Sequence, residues 1–197
     1  EIKNIIQDKK MDSLIRARAT TKLIHLEFNL DRAFIKDLPL RQALSQMIDP
    51  KELKQIIAQD GEITGSIIHK SDPSFSDDYA APSFSLNRKQ ALKILAKNGY
   101  ALNSESILEK NKLLVEINLV YNSESVDRER VALYLSDKWK SLGVKVHVKK
   151  FLKRVLISEM LKKGNFDVVV FGWSMPKQQI STNFYTSDAI PLESNNW

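Results

Sequence analysis

Leu38–Asp49, with the sequence L-P-L-R-Q-A-L-S-Q-M-I-D, carries the clearest structural pattern in this chain. Asp49 has the features of the N-cap of a second helix, because Pro50 follows at the first helical position and Glu52 stands three residues past the cap. We therefore predict two helices, at about 38–48 and 50–58, that meet at an Asp-Pro corner. The apolar residues of the first helix recur at the spacing of one buried stripe: Leu40, Ala43, Leu44, Met47 and Ile48.

The second half of the chain shows the periodicities of a sheet with helices between its strands. Alternating apolar residues predict strands at 115–121 and 144–149, and a helix with one apolar face fills 125–142 between them. A short helix is predicted to end at Lys163. Residues 166–171 form a nearly continuous apolar run, which is typical of a strand covered on both faces. This order predicts an α/β sheet with right-handed crossovers.

The first hundred residues add a strand, a helix and a long irregular stretch. Alternation predicts a strand at 22–29. Asn87 is predicted to cap a helix that ends near Gly99. Residues 60–84 are rich in Gly, Pro, Ser and Asp and are expected to form a loop. Residues 1–20 show only weak helical periodicity, and we expect a linker there, in a chain cut from a longer protein.

The composition is that of a globular protein, and it limits the classes of partner that we expect. The 197 residues are 43% hydrophobic and 27% charged, and no apolar run approaches the length of about 20 residues that a membrane span needs. The absence of cysteine removes disulfides and thiolate chemistry. The net charge of +6 comes from lysines spread over the chain without interleaved aromatic residues. We therefore expect no nucleic-acid partner.

No sequence pattern supports catalysis or metal binding. The three histidines, His25, His69 and His147, are far apart, and no H-E-x-x-H, G-x-S-x-G or phosphate-binding glycine motif is present. A hydrolase with a triad assembled from scattered residues stays open as an alternative, although no nucleophile–base pair points to it. We expect a protein that is not an enzyme and that uses no metal and no cofactor.

The end of the buried strand is the best candidate for a binding site. It reads Phe171-Gly172-Trp173-Ser174, and ligands of open α/β sheets bind beyond the carboxyl ends of the strands. A tryptophan beside a glycine offers an apolar wall and bare backbone groups, which suit an extended peptide that pairs as an added strand. The alternative is that Trp173 only caps the core.

Several blocks of the sequence resemble the family 5 extracellular solute-binding proteins, the oligopeptide and dipeptide receptors of ABC importers. The similarity spans residues of about 25 to 175, and five motifs follow in the order and spacing of that family. These motifs are Phe28-Asn29 followed by R-Q-A-L and M-I-D, Asn98-Gly99-Tyr100, Leu119-Val120-Tyr121-Asn122-Ser123, Trp139-Lys140-Ser141-Leu142-Gly143-Val144, and G-N-F-D to G-W at 164–173.

The resemblance implies a fold, a function and a set of site residues. The fold is an α/β lobe of the periplasmic-binding-protein type II, a mixed sheet flanked by helices, over residues 21–197, with 1–20 as a linker from the preceding lobe. Trp173 would wall a side-chain pocket, Gly172 and Ser174 would offer backbone hydrogen bonds, and Asn122 would lie at the rim of the cleft.

The implied protein binds an oligopeptide-like solute, or another small solute, between two lobes and delivers it to a permease. Its partners would be the ABC permease subunits and the remaining lobe of the same receptor. It would act outside the cytoplasm, in the periplasm or on the outer face of the cell membrane, with or without a lipid anchor.

The chain departs from the family pattern three residues after Trp173. Peptide receptors of the family commonly have an aspartate there that holds the free amine of the peptide, and this chain has Pro176 followed by Lys177. Asp188 would replace that aspartate only if the following loop folds back. The ligand therefore stays open, and the alternative function is a structural or interaction domain that kept the lobe fold and lost peptide binding.

Overall fold

The computed structural model of the chain describes residues 22–57, 63–64, 75 and 86–174, and within these Lys22, Trp173 and Ser174 are described by their backbone alone. The predicted linker and most of the predicted loop at 60–84 lie outside these residues. The elements in chain order are β1 (Lys22–Phe28), α1 (Leu38–Ser45), α2 (Pro50–Ile57), α3 (Arg88–Lys97), β2 (Tyr100–Leu102), β3 (Leu108–Lys110), β4 (Leu113–Leu114), β5 (Glu116–Asn122), α4 (Val126–Lys140), β6 (Lys145–Phe151), α5 (Lys153–Val155) running into a π-helical turn (Leu156–Leu161), and β7 (Val168–Ser174).

The main sheet has four strands in the order β1-β7-β5-β6. β5 runs parallel to both β6 and β7, whereas β1 runs antiparallel to β7. The predicted strands and the mixed α/β sheet are therefore confirmed. Tyr121 pairs with Val170 at the last paired position of β5 and β7, and β7 continues to Ser174 against β1 only. The end of β7 therefore projects past the end of its central neighbour.

The apolar run of β7 is buried on both faces, as predicted. Val168 and Val170 belong to the large core on the α4 side of the sheet. Val169 and Phe171 belong to a second core, which the π-helical turn covers. Alternate residues of a strand point to opposite faces, so the sheet is covered on both sides and its strands can be apolar throughout.

The helix at Leu38 is shorter than predicted but buries the predicted stripe. α1 ends at Ser45, and Met47, 2% exposed, packs into the core from the turn that follows. The helix is fixed to α4 by one buried hydrogen bond, because the indole Nε1 of Trp139 donates to the carbonyl oxygen of Leu44 at 3.1 Å. Two of the sequence motifs are thus in direct contact in the core.

Asp49 caps α2, but the reciprocal contact of a capping box does not form. The Asp49 carboxylate accepts a hydrogen bond from the Lys51 backbone N–H at 2.8 Å. The Asp49 N–H donates to the Tyr134 hydroxyl at 2.8 Å, and Glu52 forms an ion pair with Lys138 at 2.6 Å. The prediction for Glu52 was wrong because α4 packs against this corner. Its Tyr134 takes the Asp49 N–H, and its Lys138 takes the Glu52 carboxylate.

The predicted start and end of α3 are confirmed. The Asn87 side chain accepts from the Gln90 N–H at 2.9 Å, and Gly99 has a φ of +81° after the last turn. The chain then forms the small antiparallel sheet β2-β3-β4, which no periodicity in the sequence predicts. Across the described residues, no helix is both long and apolar enough to cross a membrane.

Candidate functional site

The candidate site lies at the carboxyl edge of the main sheet. Asn122 is the last residue of β5, and Gly172 lies in the part of the neighbouring β7 that projects past it. The backbone of Trp173 pairs with Leu23, and that of Ser174 pairs with Lys22. The side chains of Trp173 and Ser174 lie outside the described atoms, so their expected roles stay predictions.

Asn122 is buried, with 1% of its surface exposed, at the edge where a cleft rim was expected. Its Oδ1 accepts a hydrogen bond from the Glu124 N–H at 2.8 Å and so shapes the turn that leads into α4. Its Nδ2 is buried and has no hydrogen-bond acceptor among the described residues. One strong donor at the edge of the sheet is therefore unsatisfied by this part of the chain.

Gly172 is a glycine because two groups approach its Cα closely. A Cβ at this position would lie 2.8 Å from the carbonyl oxygen of Leu23 and 2.8 Å from Nη2 of Arg128. The sequence predicts that Gly172 exposes its backbone to a ligand. The structure shows that its missing side chain makes room for the strand β1 and for the Arg128 guanidinium.

Arg128 is the residue of this site that sequence reasoning missed. It lies in the first turn of α4, where its backbone N–H donates to the hydroxyl of the N-cap Ser125 at 3.4 Å. The guanidinium carbon lies 5.4 Å from the centroid of the Phe171 ring, within the range of a cation–π contact. A basic residue in a first turn opposes the helix dipole, and this local mismatch is the signal that would have found it.

The electrostatic state of Arg128 follows from its burial. Nε is buried and has no acceptor among the described residues. Burial lowers the pKa of the Arg128 guanidinium, and the charge of Glu124 acts in the opposite direction. Because an arginine starts from a very high pKa, the group keeps its positive charge at neutral pH. The edge of the sheet thus carries a half-buried cation.

The two described histidines are each paired with a glutamate and do not gather into a metal site. His25 contacts Glu27, its neighbour on the same face of β1, and His147 Nε2 lies 3.1 Å from Glu116. Within the described ranges, no group of three or more His, Asp or Glu side chains is arranged to hold a metal ion. His69 lies outside those ranges.

Residues 1–189 match the family model for bacterial extracellular solute-binding proteins, family 5 Middle. This chain belongs to that family. The family consists of transport binding proteins, and its members act outside the cytoplasm. The oligopeptide-binding protein AppA of Bacillus subtilis (strain 168) is 26% identical over 155 residues, which are 77% of this chain and 28% of AppA.

Solved structures of family 5 proteins share the fold of this chain. B. subtilis AppA in complex with a nonapeptide superposes with a TM-score of 0.80 at 24% identity, over 88% of this chain and 35% of AppA. The oligopeptide-binding protein of Thermus thermophilus with a pentapeptide gives 0.73 at 20% identity, over 84% and 30%. NikZ of Campylobacter jejuni with Ni(L-His) gives 0.67 at 21% identity, over 80% and 31%.

The fold is therefore that of a type II periplasmic binding protein, as the family 5 resemblance implied. The chain spans about a third of the length of these relatives. The relatives bind different solutes, oligopeptides in two cases and a nickel complex in the third. Family membership alone thus leaves the solute of this chain undefined.

Proposed function

We propose that this chain is one lobe of a solute-binding receptor that serves an ABC importer. In this proposal residues 21–197 form the lobe, residues 1–20 link it to a preceding lobe, and an oligopeptide-like solute binds between the two. The closed receptor then delivers the solute to permease subunits outside the cytoplasm. The chain contributes binding and no chemistry of its own.

The observation that carries this proposal is the projecting end of β7. Pairing with β5 stops at Val170, whereas β7 runs on through Gly172, Trp173 and Ser174 with β1 on its other edge. At this strand end one edge of β7 is paired with β1, and the other edge extends past the end of β5. An extended peptide can pair with such an edge as an added strand. Main-chain pairing supplies affinity without fixing the sequence of the peptide.

The proposed roles of the site residues follow from this arrangement. Trp173 would form the wall of a side-chain pocket, and Gly172 and Ser174 would offer backbone hydrogen bonds along the projecting strand. Asn122 would offer its buried Nδ2 at the end of β5. All four positions lie at the carboxyl edge of the sheet, where ligands of open α/β folds bind.

A second candidate function rests on the sequence after Trp173. Pro176 carries neither charge nor N–H, and Lys177 would repel the ammonium group of a peptide. A lobe that has lost transport binding and serves as an interaction domain would tolerate both residues. The two candidates differ in one measurable property, the presence of a bound solute.

Native mass spectrometry of the full-length protein, purified without denaturation, tests the proposal. A ladder of peptide masses that disappears on denaturation is the expected result. A single non-peptide mass would support a receptor function with a solute that is not a peptide. An apo mass, together with unchanged tryptophan fluorescence on addition of a peptide pool, would overturn the proposal in favour of the interaction domain.

A variant pair ties the site to the measurement. Trp173→Ala is expected to weaken binding of the co-purified solute by about tenfold or more, because an aromatic wall contributes much of the buried apolar area of a pocket. Leu133→Ala is the matched control, since Leu133 is 54% exposed on α4 and away from the edge of the sheet. Equal affinities of the two variants would show that Trp173 is not part of the binding site.

A further inference from the structure

Residues 149–155, with the sequence K-K-F-L-K-R-V, bring four cationic side chains to the outer end of the carboxyl edge of the main sheet. Lys149, Lys150, Lys153 and Arg154 are all exposed, and none of them forms an ion pair within the part of the chain that the structure describes. Because β6 leads directly into α5, the seven residues span at most about 15 Å. We call these residues the β6 patch.

Apolar side chains are exposed among these charges. Leu152 is 60% exposed and Val155 is 39% exposed, whereas Phe151 packs against the core that the π-helical turn covers. The nearby acidic residue Glu124 contacts the patch through the Lys153 backbone N–H, at 3.4 Å, and leaves the charge of that lysine unpaired. A surface of lysine, arginine and exposed aliphatic side chains has the composition that binds the interface of an anionic membrane.

The sequence at the start of α5 is unfavourable for the helix itself. Leu152 occupies the N-cap position without a side-chain hydrogen bond, and leucine is among the poorest N-cap residues. Lys153 and Arg154 then place two positive charges in the first turn, where they oppose the helix dipole. Lysines on an edge strand protect it from aggregation, which accounts for Lys149 and Lys150 but not for the helix start. Unfavourable choices on an exposed surface point to a role other than folding.

We propose that the β6 patch binds the surface of a membrane that contains anionic phospholipids. The four cations contact the headgroup phosphates, and Leu152 and Val155 enter the apolar boundary beneath them. This contact does not depend on the proposed function. Because β6 is the neighbour of β5, a lobe bound in this way also turns the carboxyl edge of the sheet toward the membrane. That orientation rests on the proposed function, since it brings the solute site close to a permease.

A membrane suits the patch better than two other anionic partners. Lysine is depleted at protein–protein interfaces, where ordering its long side chain is costly, and three of the four cations here are lysines. Proteins that bind single-stranded nucleic acids present aromatic side chains on which bases stack, and the ring of Phe151 packs against the core instead. Anionic lipid headgroups require only positive charge and exposed aliphatic groups, and the patch offers both.

Co-sedimentation of the full-length protein with lipid vesicles tests the proposal. Vesicles of phosphatidylcholine mixed with phosphatidylglycerol are compared with vesicles of phosphatidylcholine alone. We expect binding to the anionic vesicles to be tighter by about tenfold or more at about 0.1 M salt, and this preference to disappear at about 1 M salt, where charges are screened. An acyl anchor would bind both kinds of vesicle alike, so the preference reports the charged contact.

The quadruple variant Lys149→Gln, Lys150→Gln, Lys153→Gln and Arg154→Gln assigns the preference to the patch. Each cation near an anionic surface contributes about fivefold, so this variant should bind both kinds of vesicle equally. It should still retain a co-purified solute in native mass spectra, which separates a failure of this inference from a failure of the proposed function.

A second quadruple variant is the matched control. Lys89→Gln, Lys93→Gln, Lys97→Gln and Lys112→Gln remove the same charge from exposed lysines of α3 and of the turn between β3 and β4. This variant should keep most of the preference for anionic vesicles. Equal losses in the two quadruple variants would overturn the proposal, because the net charge alone would then explain the binding.

The apolar part of the contact has its own variant pair. Leu152→Ala keeps every charge and should weaken binding to anionic vesicles by about threefold or more, since it removes apolar area from the contact. Leu133→Ala, at a leucine that is 54% exposed on α4, should leave the binding unchanged. Binding of soluble polyglutamate by the wild type, without any preference for anionic vesicles, would overturn the membrane proposal in favour of an acidic protein partner.

Discussion

The Cα of Gly172 and the guanidinium of Arg128 lie against each other at the end of β7, where a Cβ on the glycine would come within 2.8 Å of Nη2. The two residues are 44 positions apart in sequence. The missing side chain of Gly172 thus makes room for Arg128 as well as for β1. A side chain here would move the arginine, the strand or both.

Gly172→Ala is expected to weaken solute binding by about tenfold and to lower the free energy of unfolding by about 1–2 kcal/mol. The arginine can move aside, but the Leu23 carbonyl at 2.8 Å belongs to the backbone and yields less readily. Titration of the co-purified solute and urea denaturation measure the two effects. An alanine variant with unchanged affinity would show that the position of Arg128 is unimportant for binding.

Two glycines with positive φ provide a matched pair for stability. Gly143, at +88°, would place a Cβ 2.5 Å from Leu102 Cδ2, 2.8 Å from the Ser106 carbonyl and 2.9 Å from the Leu108 nitrogen. At Gly99, whose φ is +81°, a Cβ would meet no atom of the described residues within 4 Å. Gly99→Ala should cost about 1–2 kcal/mol of strain, and Gly143→Ala at least about 2 kcal/mol more. Urea denaturation compares them, and equal costs would refute the predicted clash.

Trp139→Phe is expected to destabilise the fold by about 2–4 kcal/mol. The substitution leaves the Leu44 carbonyl oxygen without its hydrogen-bond donor. It also creates a cavity, because the Trp139 side chain is 0% exposed and fills its site in the core. Leu133→Ala, on the exposed face of the same helix, should change the free energy of unfolding by less than about 0.5 kcal/mol. A similar effect of both substitutions in chemical denaturation would contradict the importance of this hydrogen bond.

Tyr121 makes the free energy of unfolding depend on pH in the alkaline range. Burial, together with a hydrogen bond from its hydroxyl to Glu129, raises the pKa of Tyr121 from 10.0 to about 12. The unfolded chain releases this proton near pH 10 while the folded chain retains it. The stabilisation is therefore complete below pH 10 and is lost as pH rises to about 12.

Tyr121→Phe removes that contribution. The free energy of unfolding of the variant should fall less steeply between pH 10 and pH 12 than that of the wild type. Absorbance at 295 nm should also show one late-titrating tyrosine fewer. Parallel pH profiles of the two proteins would mean that Tyr121 ionises in the folded protein as it does in the unfolded one.

Patterns that depend on neighbouring residues were predictable without a structure. The stripe of α1, the double-faced burial of β7 and the end of α3 at Gly99 follow from side-chain periodicity and from backbone conformations available mainly to glycine. These are local properties, so the sequence contains them directly. The resemblance to family 5 rested on the same blocks, and it was confirmed.

Contacts between distant parts of the chain had to come from the tertiary structure. Glu52 forms an ion pair with Lys138 instead of closing a capping box, because α4 packs against that corner. The strands β2 to β4 are two or three residues long, too short for alternation to show.

Arg128 reads in sequence as one more surface charge. It becomes part of the site only because the register of β7 against β5 brings Phe171 and Gly172 beneath it. Periodicity specifies which face of an element is buried. It does not specify which side chain of another element lies opposite, since that depends on how the strands pair and how the helices cross them.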